Sequence, residues 1–91
     1  MYLEIVTPEA SLVSGEVTSV TVPGMDGEFQ MLNNHAAIVS LLVEGEVRFT
    51  GNPTIAESFK NKFTQKDGKW TMPIKGGTVE CSDNKVIVLA D

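Results

Sequence analysis

Cysteine occurs once in this chain of 91 residues, at Cys81, so no internal disulfide can brace the fold. Histidine is as scarce, with His35 alone. A zinc site draws about four ligands from His, Cys and carboxylate side chains, and this supply gives no metal motif. Basic residues are few, 7 against 12 acidic, for a formal charge of -5. Such a surface repels phosphate backbones and anionic lipid, so neither nucleic acid nor direct membrane insertion is expected. Long apolar runs are missing as well. The most apolar stretch, Ala36 to Val43, is far too short to span a bilayer, and the opening Met1-Tyr2-Leu3-Glu4 has no basic leader. The expectation is a soluble, cytoplasmic chain. Gly24, Gly27 and Gly76-Gly77 lack the spacing of a phosphate loop and precede no helix, so turn geometry explains them and no nucleotide cofactor is implied.

What is present is enough apolar material, 42% of residues, for one core and too little chain for two. Short β-prone runs alternate with Gly, Pro, Asn and Asp clusters at intervals of about ten residues, which predicts an all-β chain folded as a small antiparallel β-sandwich. The predicted strands are Tyr2 to Val6, Glu16 to Val22, Glu28 to Met31, Glu46 to Thr50, Trp70 to Ile74, Thr78 to Cys81 and Val86 to Ala90. Within them Phe29, Met31, Val47 and Phe49 face inward by alternation, with Glu28 and Gln30 outward. Turns are expected at Pro23 to Gly27, Asn33-Asn34, Lys66 to Lys69 and Ser82 to Lys85. Pro73 argues for an edge strand. Ala36 to Val43 is apolar on both faces except at Ser40, so it should be covered by the core on one side and by something else on the other. One segment changes period. Asn52-Pro53 reads as a helix start, and Ile55, Phe59 and Phe63 fall four apart, predicting a short helix inserted around residues 53–64.

Catalytic chemistry has little to draw on. Cys81 and His35 are the one nucleophile and base pair that could be proposed, yet Cys81 alternates in phase with Val79 on an inward face, where a free thiol behaves as a small apolar side chain. Lys60, Lys62, Lys66 and Lys69 are interleaved with polar residues and read as a solvated surface. His35 sits at a turn, where it either serves recognition or does nothing, and residue chemistry alone leaves those two even.

Leu3-Glu4-Ile5-Val6-Thr7-Pro8, Ser14-Gly15, Gly27-Glu28-Phe29, His35-Ala36, Gly76-Gly77 and Val88-Leu89-Ala90-Asp91 resemble, in order and spacing, the epsilon subunit of the F-type rotary ATP synthase. The resemblance covers the chain apart from roughly residues 51 to 69. It implies an epsilon-type β-sandwich over residues 1–91 at the foot of the central stalk, clasping the gamma subunit and resting on the polar loops of the c-ring. The role implied is that of a non-catalytic rotor subunit, without cofactor, that couples ion-driven rotation to ATP synthesis. Its place is the cytoplasmic face of the bacterial inner membrane, held there by the rest of the ATP synthase. Carried over position by position, Glu28 matches a carboxylate near the ring-facing edge, with Asp26 and Gly27 in the preceding turn. Thr7, His35 and Ser40 match positions close to gamma or the ring. Two departures stand out. The family turn carries prolines around the histidine where this chain reads Asn33-Asn34-His35-Ala36-Ala37, and the segment from Gly51 to Lys69 is longer than the usual hairpin. In the family the last strand leads into a helical hairpin that can brake rotation. Here Asp91 ends the sequence, so that hairpin, and inhibition through it, are expected to be absent. The competing reading is a free-standing sandwich adaptor for another protein or a sugar, alike in architecture only.

Overall fold

A computed structural model describes residues 1–91 as ten strands and one short 3-10 helix. The strands are β1 (Tyr2–Val6), β2 (Ser11–Gly24), β3 (Gly27–Leu32), β4 (Ile38–Leu42), β5 (Gly45–Gly51), β6 (Thr54–Ile55), β7 (Thr64–Lys66), β8 (Lys69–Ile74), β9 (Gly77–Ser82) and β10 (Lys85–Ala90). The all-β sandwich expected from alternation is the fold observed.

Strand β2 organises it. The first half pairs with β1 (Leu3 opposite Gly15) and with β6 (Val13 opposite Ile55). The second half pairs with β3 (Val20 opposite Met31) and β5 (Val20 opposite Phe49). One strand therefore belongs to both layers. The layer β1-β10-β9-β4 hangs on its first half, and β3, β5, β8 and β7 extend from its second. A strand that changes sheets must bend, and the bend lies where Gly15 takes φ +145° and the β2–β5 register shifts between Val17 and Ser19. Alternation predicted only residues 16 to 22 of this strand. Leu12 and Val13 are both buried, which hides the two-residue period in the part that passes between layers.

The sandwich is not wholly antiparallel. β1 and β10 run parallel, Leu3 opposite Val86 and Ile5 opposite Val88. These strands come from opposite ends of the sequence, so no hairpin sets their relative direction. The alternating inward residues meet between the layers, where Leu3, Ile5, Val20, Val22, Met31, Val47, Phe49, Val79, Val86 and Val88 are essentially sealed from solvent. Cys81 joins them in the core, as its phase predicted.

The helix is shorter than its stripe suggested. Thr54–Ile55 is strand, Glu57–Lys62 is a six-residue 3-10 helix, and Thr64–Lys66 is strand again. The N-cap is Ala56 rather than Asn52, and the Ala56 N–H is drawn to the Leu12 carbonyl at 2.8 Å. Pairing with β2 thus takes the residues that would have formed the first helical turn. The apolar spacing still does its work. Ile55 and Phe63 are buried, Phe59 is half-buried, and the Phe63 ring meets Phe49 edge to face at 6.1 Å.

The turns agree with their residue types. Asp67-Gly68 and Asp83-Asn84 both take positive φ at each central position, the geometry that matches strand twist in two-residue hairpins. Pro73 lies past the end of β7, whose pairing stops at Thr71, so no ladder asks for its missing N–H on that side.

Candidate functional site

Strand β4 presents the two-sided apolar run as a boundary between core and solvent. Leu42 is buried and Ile38 half-buried, whereas Val39 is 74% exposed and Leu41 59% exposed. Across the ladders Leu41 stands opposite Thr78 and Thr78 opposite Leu89, so Leu41 and Leu89 share one row on the outer face of this layer. The β2–β3 turn places Met25, 66% exposed, beside them. Exposed apolar residues are common singly, but a contiguous set of this kind marks an interaction surface.

Two adjoining grooves divide that surface. One, of about 690 Å³, runs over Val6, Thr7, Met25, Leu41, Val43 and Leu89. The other, of about 510 Å³, lies between the β2–β3 hairpin and β4, lined by Met25, Asp26, Gly27, Glu28, Ser40 and Leu41 among others. Met25 and Leu41 line both. Five of the six residues singled out in the sequence (Thr7, Asp26, Gly27, Glu28 and Ser40) therefore gather around Leu41, part of the apolar run noted there, and Met25, which drew no attention. Leu89 and Val39 complete the apolar face.

His35 stands apart. β3 separates it from Glu28, and the stretch from Glu28 to Leu32 alone spans about 13 Å at strand rise. Its turn is held by the His35 N–H to the Leu32 carbonyl at 3.1 Å, and by the Asn34 N–H to Asn84 Oδ1 at 2.8 Å. Asn34 takes φ +62°, a left-handed position asparagine tolerates. The imidazole Nδ1 lies 2.7 Å from the Ala36 carbonyl and donates to it when it carries the proton. These hydrogen bonds order the turn without proline.

The polar residues of the rim differ in what they are free to do. The Thr7 hydroxyl accepts from the Glu9 N–H at 3.3 Å, and the Thr7 N–H donates to the Ala10 carbonyl, so Thr7 shapes the β1–β2 turn. Ser40 donates to the Leu41 carbonyl at 3.2 Å. Glu28 is half of an ion pair. Arg48 on β5 reaches across β2, and its Nη2 meets Glu28 Oε1 at 2.7 Å, with Glu46 at 3.9 Å on the other side of the guanidinium. The Arg48 hydrogen bond holds the Glu28 carboxyl below the usual carboxylate range, and Glu28 raises Arg48 in return. The sequence carried no spacing signal for this pair, because the partners are twenty residues apart and meet only through two ladders.

That pairing has a pH consequence. A carboxylate whose pKa is lowered by folding contributes stability that is present above its unfolded pKa and lost as pH falls through its folded pKa. Glu28→Gln should cost less than about 1 kcal/mol at neutral pH, because both partners are solvent-accessible. The gap in thermal midpoint between parent and variant should close once the pH has fallen below the ordinary carboxylate range, through the lowered pKa of Glu28. A gap of equal size at neutral and acid pH would assign the effect to something other than the ion pair.

No group of three or more His, Cys, Asp or Glu side chains converges anywhere in the structure. Burial pushes the Cys81 thiol up, away from the reactive thiolate. The geometry offers an apolar face with a polar rim, which can hold another protein.

Residues 1–91 match the ATP synthase delta/epsilon chain β-sandwich domain. The chain belongs to that family. Among curated relatives, the ATP synthase epsilon chain of Chlorobium limicola is 39% identical over 89 residues, covering 98% of this chain and 86% of the relative. The epsilon chain of Campylobacter concisus is 34% identical over 91 residues, all of this chain but 60% of the relative. This chain thus spans most of some epsilon chains and little more than half of others. In solved structures the epsilon-type fold recurs in the central stalk/c-ring of the Tetrahymena thermophila mitochondrial ATP synthase, with a TM-score of 0.67 and 17% identity over 99% of this chain and 62% of that one. It recurs again in the Euglena gracilis mitochondrial ATP synthase, with a TM-score of 0.71 and 21% identity over 97% and 48%. At those identities the likeness establishes the fold. Membership of the ATP synthase epsilon family makes the chain a subunit of a complex, and none of its helices is long and apolar enough to cross a membrane.

Proposed function

We propose that this epsilon-type sandwich is a non-catalytic part of the rotor in an ion-driven ATP synthase. It binds the gamma subunit and rests on the polar loops of the c-ring, so that rotation of the ring reaches the catalytic head. The observation that carries this reading is the exposed apolar face of Met25, Val39, Leu41 and Leu89 beside the acidic turn of Asp26 and Glu28. Apolar surface gives such a joint its affinity, and a polar rim gives it register. A permanent joint needs about 800 Å² or more per partner, and two adjoining grooves offer a continuous start. His35, at the other end of β3, makes a separate contact with gamma or the ring. In this reading the complex lies at the cytoplasmic face of a bacterial inner membrane, which the bacterial source of the relatives supports.

The sandwich couples without braking. Its strands form one hydrogen-bonded network, which suits transmission of torque with little deformation; a brake would need a second arrangement for a ligand to favour. Coexpression with gamma and the c-ring tests the joint: the chain should copurify with both in stoichiometric amount, and vesicles lacking it should lose proton-driven ATP synthesis. Added to the catalytic head, the chain should leave ATP hydrolysis unchanged and bind no ATP by calorimetry. Failure to copurify with gamma would favour an unrelated adaptor role.

A further inference from the structure

Two of the hairpin turns share one geometry and differ at one position. Asp67-Gly68 and Asp83-Asn84 each take positive φ at both central residues, and the second of these positions favours glycine. Gly68 follows that preference, whereas Asn84, at φ +59°, departs from it. What Asn84 adds is a side chain, and its Oδ1 accepts from the Asn34 N–H at 2.8 Å, fifty positions away in the sequence. Its backbone is anchored too, because the Asn84 carbonyl accepts from the Tyr2 N–H at 3.0 Å.

The side-chain bond lands on the turn that carries His35. The Asn34 N–H has no backbone acceptor, and the next N–H along, that of His35, goes to the Leu32 carbonyl at 3.1 Å. The peptide planes on both sides of Asn34 are thus held, and with them the left-handed φ of +62° that directs the chain into His35. Asn33 is tied from outside as well: its Oδ1 accepts from the Met1 nitrogen at 2.7 Å. No proline stands between Leu32 and Ile38, so no ring restricts rotation about Asn34.

We propose that Asn84 is a positioning residue for His35, presetting the turn so that the imidazole meets its partner subunit without further ordering. The inference rests on the reading above, that His35 makes a contact of its own with gamma or the ring, and it names the group that readies that contact. A turn already held in its bound form loses less freedom on association, and the difference appears as affinity. Asn84 acts through Asn34 and needs no contact of its own with the partner.

Asn84→Gly deletes the acceptor and keeps the left-handed backbone, whereas Asn84→Asp keeps both. In the free chain the Asn34 amide should exchange faster in Asn84→Gly than in the parent, and an unchanged rate would mean that the turn is held without Asn84. For binding, the probe is the assembled gamma and c-ring rotor lacking this chain, titrated with parent and variants. Asn84→Gly should weaken binding about fivefold, the worth of one hydrogen bond, while Asn84→Asp should stay within about twofold of the parent. In the His35→Ala background the same glycine substitution should change affinity by less than about twofold, because a residue that acts through His35 has nothing left to position. Equal losses in both backgrounds would make Asn84 a structural residue and overturn the inference. Asn84→Gly that binds as the parent does, while His35→Ala binds more weakly, would also overturn it and leave the His35 contact standing. His35→Ala that binds as the parent does would remove contact and positioning together.

Discussion

Leu41→Asp should leave the sandwich folded and weaken its proposed union with gamma by about a hundredfold or more. The side chain is exposed in the isolated chain, and β4 holds its place through the ladder to β9 and the buried Leu42, neither of which the substitution touches. Its position is central, since both grooves share it. In the proposed joint the new carboxylate would be enclosed beside Met25, Val39 and Leu89, none of which can offset its charge. An uncompensated charge buried in this way costs about 3 kcal/mol or more, which is roughly that hundredfold. Calorimetric titration of gamma with parent and variant measures the affinity, and thermal unfolding of each isolated chain controls for the fold. Equal affinities would take β4 out of the interface and return its exposed residues to ordinary surface.

The second large effect is on stability, at Gly77. A Cβ built there lies 2.0 Å from the Leu89 carbonyl oxygen and 3.1 Å from the Ala90 Cα, and φ is +148°. The atoms in the way are backbone, and they belong to the β9–β10 ladder in which Gly77 stands opposite Ala90. Gly77 also pairs with Leu42, so relief of the clash would have to move β10 or β4. Gly77→Ala should therefore cost more than about 4 kcal/mol, most of the stability of many domains this small. Gly68→Ala separates the causes. Gly68 also has positive φ, +76°, but nothing lies within 4 Å of its Cβ position, so conformational strain of about 1–2 kcal/mol is the whole expectation. Denaturant midpoints for the two variants give the comparison. A Gly77→Ala protein as stable as Gly68→Ala would mean that the β9–β10 ladder yields without loss.

How far these features could be read in advance depends on the distance along the chain over which each is determined. Phe29, Met31, Val47 and Phe49 were assigned to the core from alternation alone, and they are buried or half-buried because a strand's side-chain period belongs to the backbone. The turns at Asp67-Gly68 and Asp83-Asn84 were legible for the same local reason. Val39 and Leu41 were legible as a question, since an apolar run with two apolar faces needs two covers. The stripe of Ile55, Phe59 and Phe63 misled in a defined way: spacing by four is satisfied equally by strand, 3-10 turn and strand when β2 claims Ile55 and the Phe49 ring claims Phe63.

Local chemistry in the sequence thus determined the strand-rich class, the core, the turn positions, the lack of metal-binding motifs and the apolar run that calls for a partner. Tertiary structure alone decided that β2 serves both layers, that β1 and β10 lie parallel, that Arg48 takes up Glu28, and that Thr7 and the Asp26–Glu28 turn converge on Met25 and Leu41 while His35 does not. The reason is the same each time. Period and turn type act over a few residues, but a ladder joins residues tens of positions apart, and a strand's own sequence does not say which neighbour will sit beside it.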